Sequence, residues 1–215
     1  ALAAIRAGKT KYTAVDGIPE LKAAIKKKFY IENNLSFDIS QISVGAGGKQ
    51  IIANAFAATL NPGDEVIIPA PYWVTYPDSL KVWGGKPVIV ECSQTQNFKM
   101  SPGQLKAVIN DKTKWLIINS PSNPSGAMYD ANELKGIADV LINYPQVNIM
   151  TDDIYEHIVF DNRPFVTINQ IAPELAGRTL IVNGVSKTYC MTGWRIGYGA
   201  GPVEIIKAMA KIQGQ

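Results

Sequence analysis

The sequence is poor in the residue types that build metal sites and disulfide frameworks. Its 215 residues include two cysteines, Cys92 and Cys190, and one histidine, His157. Two isolated cysteines do not make a disulfide framework, and we expect both to be small buried residues. The lone histidine leaves no histidine-based metal site or catalytic triad to expect. We therefore predict no metal and a reducing, cytoplasmic compartment.

Strong charge imbalance and long apolar runs are absent as well. The formal net charge is +3, and the one basic run, residues 26–28, is predicted to be the solvated face of a helix, so nothing favours nucleic acid. No apolar run approaches the roughly 20 residues that cross a bilayer, and residues 1–9 lack the order of a signal peptide, so we expect no membrane partner. Trp83 and Trp115 are expected in the hydrophobic core.

Short apolar segments alternate with helical patterns along the whole chain. Strands are predicted over residues 42–44, 65–69, 87–91, 114–119, 147–151, 179–182 and 196–200. Helices are predicted over residues 18–31, 49–60, 77–83, 102–110, 131–142, 167–175 and 203–212. This alternation is typical of the α/β class, a mostly parallel sheet with helices on both faces. Such sheets bind ligands at the carboxyl ends of their strands, so the loops there should carry the chemistry.

A glycine cluster follows the first predicted strand. Residues 45–48 read Gly-Ala-Gly-Gly and lead directly into a helix that begins near Lys49. The unpaired N–H groups and the dipole at a helix start favour an anion. The spacing fits neither a dinucleotide fingerprint, because Gln50 stands in place of the third glycine, nor a Walker loop. A phosphate cradle and a tight structural turn both remain open.

Two further loops contain aromatic or rigid segments. Residues 70–77 follow the second strand and include Trp73, and these aromatic side chains could fill the core or give a flat face to a planar ring. Residues 120–126 contain two prolines and a glycine, which would hold Asn123 in one orientation. A plain connecting loop is the alternative for the second segment.

Two ionisable side chains at strand ends indicate chemistry more directly. A carboxylate at the tip of a central strand is costly to bury unless a cation pairs with it, and we expect such a partner for Asp152. Asp153 is interpreted as the cap of a following short helix. Lys187 lies among small, apolar and hydroxyl residues, where desolvation would make its amine a nucleophile toward carbonyls. A surface lysine is the alternative, which the other unusual loops at the same edge disfavour.

The ordered set of motifs resembles the class I aminotransferases of the fold-type-I pyridoxal-phosphate group. The motifs are Tyr-x-x-x-Asp-Gly, Gly-Gly-Lys-Gln, Pro-Tyr-Trp-Val, Asn-Pro-Ser-Gly, Asp-Asp-Ile-Tyr-Glu and Ser-Lys-Thr-x-x-Met-Thr-Gly-Trp-Arg. The bacterial and plant branch of aspartate and prephenate aminotransferases is the most similar. The resemblance implies that residues 1–215 are the pyridoxal-phosphate-binding large domain of the aspartate aminotransferase fold. The family's N-terminal segment and C-terminal small domain would lie outside this sequence, so we expect a piece of a longer protein.

The resemblance also implies roles for the residues already singled out. Lys187 would be the catalytic residue, bonded to pyridoxal 5'-phosphate. Asp152 would pair with the pyridine nitrogen and keep it protonated. Tyr155 and Asn123 would hydrogen-bond the phenolic oxygen of the ring. Trp73 would stack on the ring, and Trp73 and Asn123 would both contact the substrate.

The phosphate group and the partner subunit are assigned in the same way. The resemblance implies that the phosphate is held by Gly47, Gly48, Lys49, Ser186 and Arg195. Arg195 would be a bidentate clamp, and Lys49 is also interpreted as a partner for an acidic substrate side chain. Tyr12 would reach the phosphate site of a neighbouring subunit, which implies a homodimer with shared active sites. Some relatives have a serine where this chain has Gly184, three positions before Lys187.

The implied reaction is transamination between aspartate and 2-oxoglutarate, giving oxaloacetate and glutamate. Amino-acid and 2-oxo-acid substrates are therefore the expected small-molecule partners. An aromatic, alanine or prephenate aminotransferase, or a lyase that uses the same cofactor, remains an alternative. A non-catalytic binding protein of the same fold is a further alternative, against which the intact set of Lys187, Asp152, Tyr155 and Arg195 argues.

Overall fold

Seven strands form one sheet in the computed structural model, which describes residues 1–215. The strands are β1 (Ile42–Gly45), β2 (Glu65–Ala70), β3 (Lys86–Glu91), β4 (Thr113–Asn119), β5 (Asn148–Asp152), β6 (Thr179–Gly184) and β7 (Gly197–Ala200). Their order across the sheet is β1-β7-β6-β5-β4-β2-β3. Only β7 runs antiparallel to its neighbours, β1 and β6. The prediction of a mostly parallel sheet is confirmed.

Eight α-helices connect and cover these strands. They are α1 (Leu2–Arg6), α2 (Pro19–Asn33), α3 (Gly48–Thr59), α4 (Thr75–Lys81), α5 (Pro102–Val108), α6 (Ala131–Leu141), α7 (Ile168–Ile171) and α8 (Val203–Gln213). Local sequence explains the starts of several helices. Asp130 accepts a hydrogen bond from the Glu133 backbone N–H at 2.9 Å, and this capping box fixes the first turn of α6. None of these helices is both long and apolar enough to cross a membrane.

Alternate residues of each strand face opposite sides of the sheet, and both sides are covered by helices. On one side, Ile67 and Leu116 pack in a cluster with side chains of α5, α6 and α7. On the other, Val66 and Ile117 pack with side chains of α3, α4 and α8. Helix α2 covers the end of the sheet near β1 and β7, where Phe29 packs edge-on against two other aromatic rings. The prediction of helices on both faces is therefore confirmed.

The structure corrects four details of the sequence prediction. The helix expected over residues 167–175 is divided, because Pro173 starts a separate 3-10 helix, Pro173–Arg178, after α7. Helix α1 was not predicted. Trp83 is 42% exposed and Cys190 is exposed, so neither belongs to the core. Trp115 and Cys92 are buried as expected.

Strand register brings three chain segments to one edge of the sheet. Asn119 at the end of β4 is paired with Asp152 at the end of β5, and Asp152 with Val182 of β6. Strand β1 has the same direction as β6, because both are antiparallel to β7. The loop between β1 and α3 therefore joins the same edge, together with the segment that leads into β7.

Candidate active site

A cavity of about 340 Å³ lies at this carboxyl edge of the sheet. The tips of β4, β5 and β6, the start of α3 and the segment before β7 form its wall. Most of the residues singled out from the sequence line it: Gly48, Lys49, Trp73, Asn123, Asp152, Tyr155, Ser186, Lys187 and Arg195. Residues separated by as many as 147 positions in the chain (195 − 48) are thus brought to one site.

Asp152 is a buried carboxylate that is only partly satisfied. Its Oδ2 atom accepts a hydrogen bond of 2.7 Å from the Tyr76 hydroxyl, while Oδ1 has no partner. Burial raises the pKa of Asp152 to about 6, although the Tyr76 hydroxyl and the nearby Ile154 backbone N–H act to lower it. A buried carboxylate oxygen without a donor, in the wall of a cavity, is suited to a ligand that brings an N–H group or a positive charge.

Tyr76 is a site residue that the sequence reasoning did not single out. It is 1% exposed, lies in the first turn of α4, and packs edge-on against Trp73 with the ring centres 5.5 Å apart. Burial and the neighbouring Asp152 carboxylate raise its pKa well above the usual range, so the phenol is neutral and donates to Asp152. Trp73 precedes α4, and a hydrogen bond of 3.0 Å from the Tyr76 N–H to the Trp73 carbonyl closes a turn between them; the three-residue spacing in the sequence is the signal that could have found Tyr76.

Asn119 was also missed, and it connects two of the predicted residues. Its side-chain Nδ2 donates to the backbone carbonyl of Asp152 at 2.8 Å, and its Oδ1 accepts from the backbone N–H of Asn123 at 2.8 Å. Both ends of the Asn119 amide are therefore engaged. This fixes the loop that contains Asn123 against the tip of β5.

Lys187 lies on the turn that follows β6, opposite Tyr155. Its Nζ is 5.5 Å from the centre of the Tyr155 ring. The turn is held to the segment directly before β7 by a backbone hydrogen bond of 3.1 Å from the Val185 N–H to the Ile196 carbonyl. Lys187 and Asp152 both line the one cavity, so the amine and the partly satisfied carboxylate can act on the same ligand.

The opposite end of the cavity is suited to an anion. Gly47 has φ +91°, and a Cβ at this position would collide with the Arg195 guanidinium, so glycine allows the arginine to lie against the backbone. Arg195 Nη1 donates to the Thr192 carbonyl at 2.8 Å, which orients its guanidinium. Gly48 begins α3, whose first N–H groups have no partner inside the helix. A guanidinium and a helix start together favour a phosphate or carboxylate group.

Two polar side chains in the cavity wall complete this end. Lys49 is the second residue of α3, and its Nζ lies 5.2 Å from the centre of the Trp73 ring. Ser186 is buried and stands directly before Lys187. At the position where some relatives have serine, a Cβ on Gly184 would lie 2.9 Å from the Ile196 carbonyl oxygen, so close packing with the segment before β7 explains the glycine.

Tyr12 is the one predicted site residue that lies far from this cavity in its own chain. It is fully exposed in the segment that precedes α2. Asp153 is not the cap of a following short helix, which corrects the interpretation made from the sequence. It is 2% exposed, its Oδ1 accepts from the Thr151 hydroxyl at 2.5 Å, and no helix begins after it. Burial raises the pKa of Asp153 to about 7, and the nearby Glu156 carboxylate adds to the rise.

Comparison with known proteins agrees with the fold and shows the family. Residues 3–215 match the family described as aminotransferase class I and II. The chain is 62% identical over 212 residues to an aspartate/prephenate aminotransferase of Cereibacter sphaeroides, covering 99% of this chain and 53% of that protein. It is 53% identical over 212 residues to an aspartate aminotransferase of Rhizobium meliloti, covering 99% of this chain and 52% of that protein.

Solved structures give the same result. The crystal structure of the aspartate aminotransferase from Rhizobium meliloti superposes with a TM-score of 0.98 at 52% identity, covering 100% of this chain and 54% of that one. The Thermus thermophilus aspartate aminotransferase solved with maleate gives a TM-score of 0.95 at 41% identity, covering 100% and 55%. This chain belongs to the class I and II aminotransferase family. It spans about half the length of the curated relatives that it matches.

Proposed function

We propose that the protein catalyses transamination with pyridoxal 5'-phosphate, using aspartate and 2-oxoglutarate as the substrate pair. The observation that carries this proposal is that Lys187 and Asp152 line one cavity. An amine that can bond a carbonyl carbon and a buried acid that can pair with a ring nitrogen are the two groups that this cofactor requires. They stand at the tips of the adjacent strands β5 and β6.

The residues present fit the aromatic ring of the cofactor. The unpartnered Oδ1 of Asp152 would accept the N–H of the pyridine ring, which supplies the donor that this buried oxygen lacks. Tyr155 and Asn123 would hydrogen-bond the phenolic oxygen, and Trp73 would stack on the ring face. Tyr76 already occupies Oδ2 of Asp152, which leaves Oδ1 as the oxygen available to the ring.

The residues at the other end fit the phosphate. The backbone at Gly47 and Gly48, the guanidinium of Arg195 and the side chains of Lys49 and Ser186 would hold it. Arg195 is already oriented by the Thr192 carbonyl, so little conformational freedom would be lost on binding.

Lys187 would act as the base of the reaction. The bound cofactor supplies an electron-withdrawing ring that stabilises negative charge at the substrate α-carbon. The amine of Lys187, once the substrate amino group has replaced it, would take the proton from that carbon and return it on the cofactor side. Asp152 would keep the ring nitrogen protonated, and Tyr76 would support this by donating to the carboxylate.

The preference for an acidic substrate is supported by Lys49 and by the relatives. Lys49 brings a flexible positive charge into the cavity beside Trp73, where it could meet the side-chain carboxylate of aspartate. The relatives are named aspartate or aspartate/prephenate aminotransferases, and one was solved with maleate, a small dicarboxylate. Prephenate, which also has two carboxylates, is the second candidate substrate for the same reason.

Assembly and domain organisation belong to the same proposal. The protein would be a homodimer in which Tyr12 reaches the phosphate site of the second subunit. The full exposure of Tyr12 and its place outside the cavity of its own chain support this. Residues 1–215 would be the cofactor-binding large domain. The group that grips the substrate α-carboxylate would lie elsewhere in the protein.

Borohydride reduction of the purified protein tests the proposal. We expect a visible absorbance that bleaches on reduction, and mass spectrometry should then find the cofactor on Lys187. A Lys187→Ala variant should lose roughly 10⁴-fold or more of the transaminase rate, the scale reported when an essential catalytic side chain is removed. Lys211→Ala, at an exposed lysine of α8, is the matched control and should keep both properties.

A substrate panel then tests the specificity. Aspartate, alanine and tyrosine should be compared as amino donors to 2-oxoglutarate, and prephenate as an amino acceptor from aspartate, each as kcat/KM, with aspartate and prephenate expected to lead their panels. Label on another lysine, or a protein that binds no cofactor, would refute the proposed function. A preference for alanine or tyrosine would refute the aspartate specificity and the role of Lys49, and would leave the proposal of pyridoxal-phosphate transamination intact.

A further inference from the structure

Glu156 is a buried carboxylate outside the cavity, and it follows the cavity residue Tyr155 directly in the chain. Its side chain is 3% exposed. Oε1 accepts from Lys28 Nζ and, at 2.6 Å, from Asn183 Nδ2, while Oε2 accepts from Asn33 Nδ2 at 2.8 Å. The carboxylate therefore joins helix α2 to the segment after β5 and to the end of β6.

The donors around Glu156 have only one consistent arrangement. Asn33 Oδ1 accepts from Lys28 Nζ at 2.7 Å, so the amide nitrogen of Asn33 must face Glu156. Asn183 Oδ1 accepts from the Gly184 backbone N–H at 2.7 Å, so its amide nitrogen must also face Glu156. Each carboxylate oxygen thus meets donors only. An acceptor on both sides is required at position 156.

This cluster leads directly to the turn that carries Lys187. Glu156 fixes the Asn183 side chain, and Asn183 fixes the Gly184 N–H, three residues before Lys187. Gly184, the last residue of β6, lies so close to the Ile196 carbonyl that an added Cβ would be 2.9 Å from the oxygen, so it has little room to move toward the segment before β7. A displacement of Asn183 would therefore be passed on along the turn to Lys187.

A gain in stability does not by itself explain why this charged cluster is buried. Desolvation of an ion pair often costs as much as its attraction returns, and apolar residues of similar volume frequently serve stability better. Fully satisfied buried polar networks instead hold their members in one geometry. The cluster is fully satisfied at Glu156 and contacts the backbone on both sides of the proposed reaction centre.

We propose that Glu156 is a positioning residue, which sets the places of Lys187 and Tyr155 relative to each other across the cavity. The inference rests on the proposed function, because it assigns Lys187 and Tyr155 to the cofactor. Helix α2 supplies the fixed end, through Lys28 and Asn33, and the tips of β5 and β6 are the parts that are held.

The Glu156→Gln variant of the full protein tests this with almost no change in shape. Its amide nitrogen must face either Asn33 or the pair of Lys28 and Asn183, and each of these is a donor. If the Asn33 amide rotated by 180° to present its oxygen to position 156, its nitrogen would face the Lys28 ammonium, which is also a donor. We expect Asn183 and the Lys187 turn to shift in this variant while the cavity lining stays chemically intact.

The expected result is a fall in kcat with little change in KM. Misplacement of a reacting group by about 1 Å costs up to roughly 10²-fold in rate, so we expect kcat to fall roughly 10- to 100-fold and the substrate KM to change less than about twofold. The pH midpoint of the visible absorbance of the lysine-bound cofactor should also move, because Tyr155 no longer faces it in the same way. A purely structural role would change neither quantity.

Glu32→Gln is the matched control. Glu32 lies 3.6 Å from Lys28 Nζ and 3.0 Å from His157, so the same substitution removes a charge from the same neighbourhood. It has no bond to Asn183 or to the Lys187 turn. We expect kcat and the absorbance midpoint of this variant to match those of the unmodified protein.

A second variant decides the matter if Glu156→Gln does not fold. Asn183→Leu breaks the connection between Glu156 and Gly184 and keeps the side-chain volume, and it should lower kcat and move the absorbance midpoint in the same direction. Unchanged kcat and midpoint in either folded variant would overturn the positioning role and leave the proposed function intact. Absence of any cofactor absorbance from the unmodified protein would overturn both.

Discussion

The floor of the cavity and the Glu156 cluster differ in how they treat a buried carboxylate, although one short segment supplies both. At the floor, Asp152 has one oxygen bound by Tyr76 and one oxygen without a partner. In the cluster, Lys28 and two asparagine side chains fill both oxygens of Glu156. A buried carboxylate with one unpartnered oxygen is typical of a ligand-binding site. A carboxylate whose two oxygens both accept hydrogen bonds from the protein has a structural or positioning role.

This difference predicts opposite effects on the stability of the cofactor-free protein, the largest of them at Glu156. Glu156→Gln leaves the half-buried ammonium of Lys28 with only Glu32, 3.6 Å away, as a counter-charge, and it places an amide nitrogen against neighbouring donors. We expect the free energy of unfolding to fall by roughly 3 kcal/mol, the lower end of the cost of breaking a buried pair from one side. Urea denaturation followed by circular dichroism measures it. A loss below about 1 kcal/mol would mean that water reaches the cluster and that the shell is not closed.

A smaller effect of the opposite sign is expected at Asp152. Its pKa in the folded chain is raised from 3.8 to about 6, so the folded state holds the proton more tightly than the unfolded state. The contribution of Asp152 to the stability of the cofactor-free protein should therefore be fully present below about pH 4 and be lost as the pH rises through about 6, and Asp153, whose pKa is raised to about 7, extends this loss. Asp152→Asn removes its share and should gain roughly 2 kcal/mol at pH 8.

Urea titrations at pH 5 and pH 8 measure this effect. The gain from Asp152→Asn should be larger at pH 8 than at pH 5, and the same variant should bind the cofactor more weakly. Equal stability of variant and parent at both pH values would show that water reaches the unpartnered Oδ1 of Asp152 and that its burial does not lower the free energy of unfolding. The contrast drawn between Asp152 and Glu156 would then be wrong.

The smallest change in stability should come from Tyr76→Phe, which removes the hydrogen bond to Oδ2 of Asp152 and leaves both carboxylate oxygens without a partner. Loss of one hydrogen bond to a charged group costs roughly 1.5 kcal/mol, and the pKa of Asp152 should rise further because Tyr76 acts to lower it. The fall in stability with pH should accordingly extend to higher pH. Tyr129→Phe is the matched control: its buried hydroxyl accepts from the Met100 N–H at 2.8 Å, away from Asp152, so the pH profile should stay that of the parent.

Elements governed by local chemistry were predictable from the sequence. Helix α6 follows a capping box and an apolar period, and its observed range, Ala131–Leu141, is one residue shorter than predicted. Helix α1 has no buried residue and no side-chain cap, so no pattern announces it. Exposure of Trp83 was equally unpredictable, because a tryptophan at the end of a short helix packs according to tertiary neighbours that the local sequence does not reveal.

The same division applies to the site. Residues such as Lys187 and Asp152 could be found because strand tips are marked in the sequence and the family motifs surround them. Tyr76 was visible only as one aromatic among several, since its partner Asp152 lies 76 positions away. Glu156 stood inside a motif, but its donors are 128, 123 and 27 positions distant, and no periodicity connects them. Side-chain pairing across elements is the part that the sequence could not supply.

The reversed direction of β7 has one further consequence for how this molecule is built. A parallel strand would have to begin at the far edge of the sheet, and reaching it requires a crossover of a dozen or more residues. Because β7 instead begins where β6 ends, the chain leaves and re-enters the sheet on the same side, and Lys187 and Arg195 share a single excursion. An insertion or deletion between them would change the position of Lys187 relative to Arg195 in the cavity wall, so the length of this segment is as constrained as the identity of its residues.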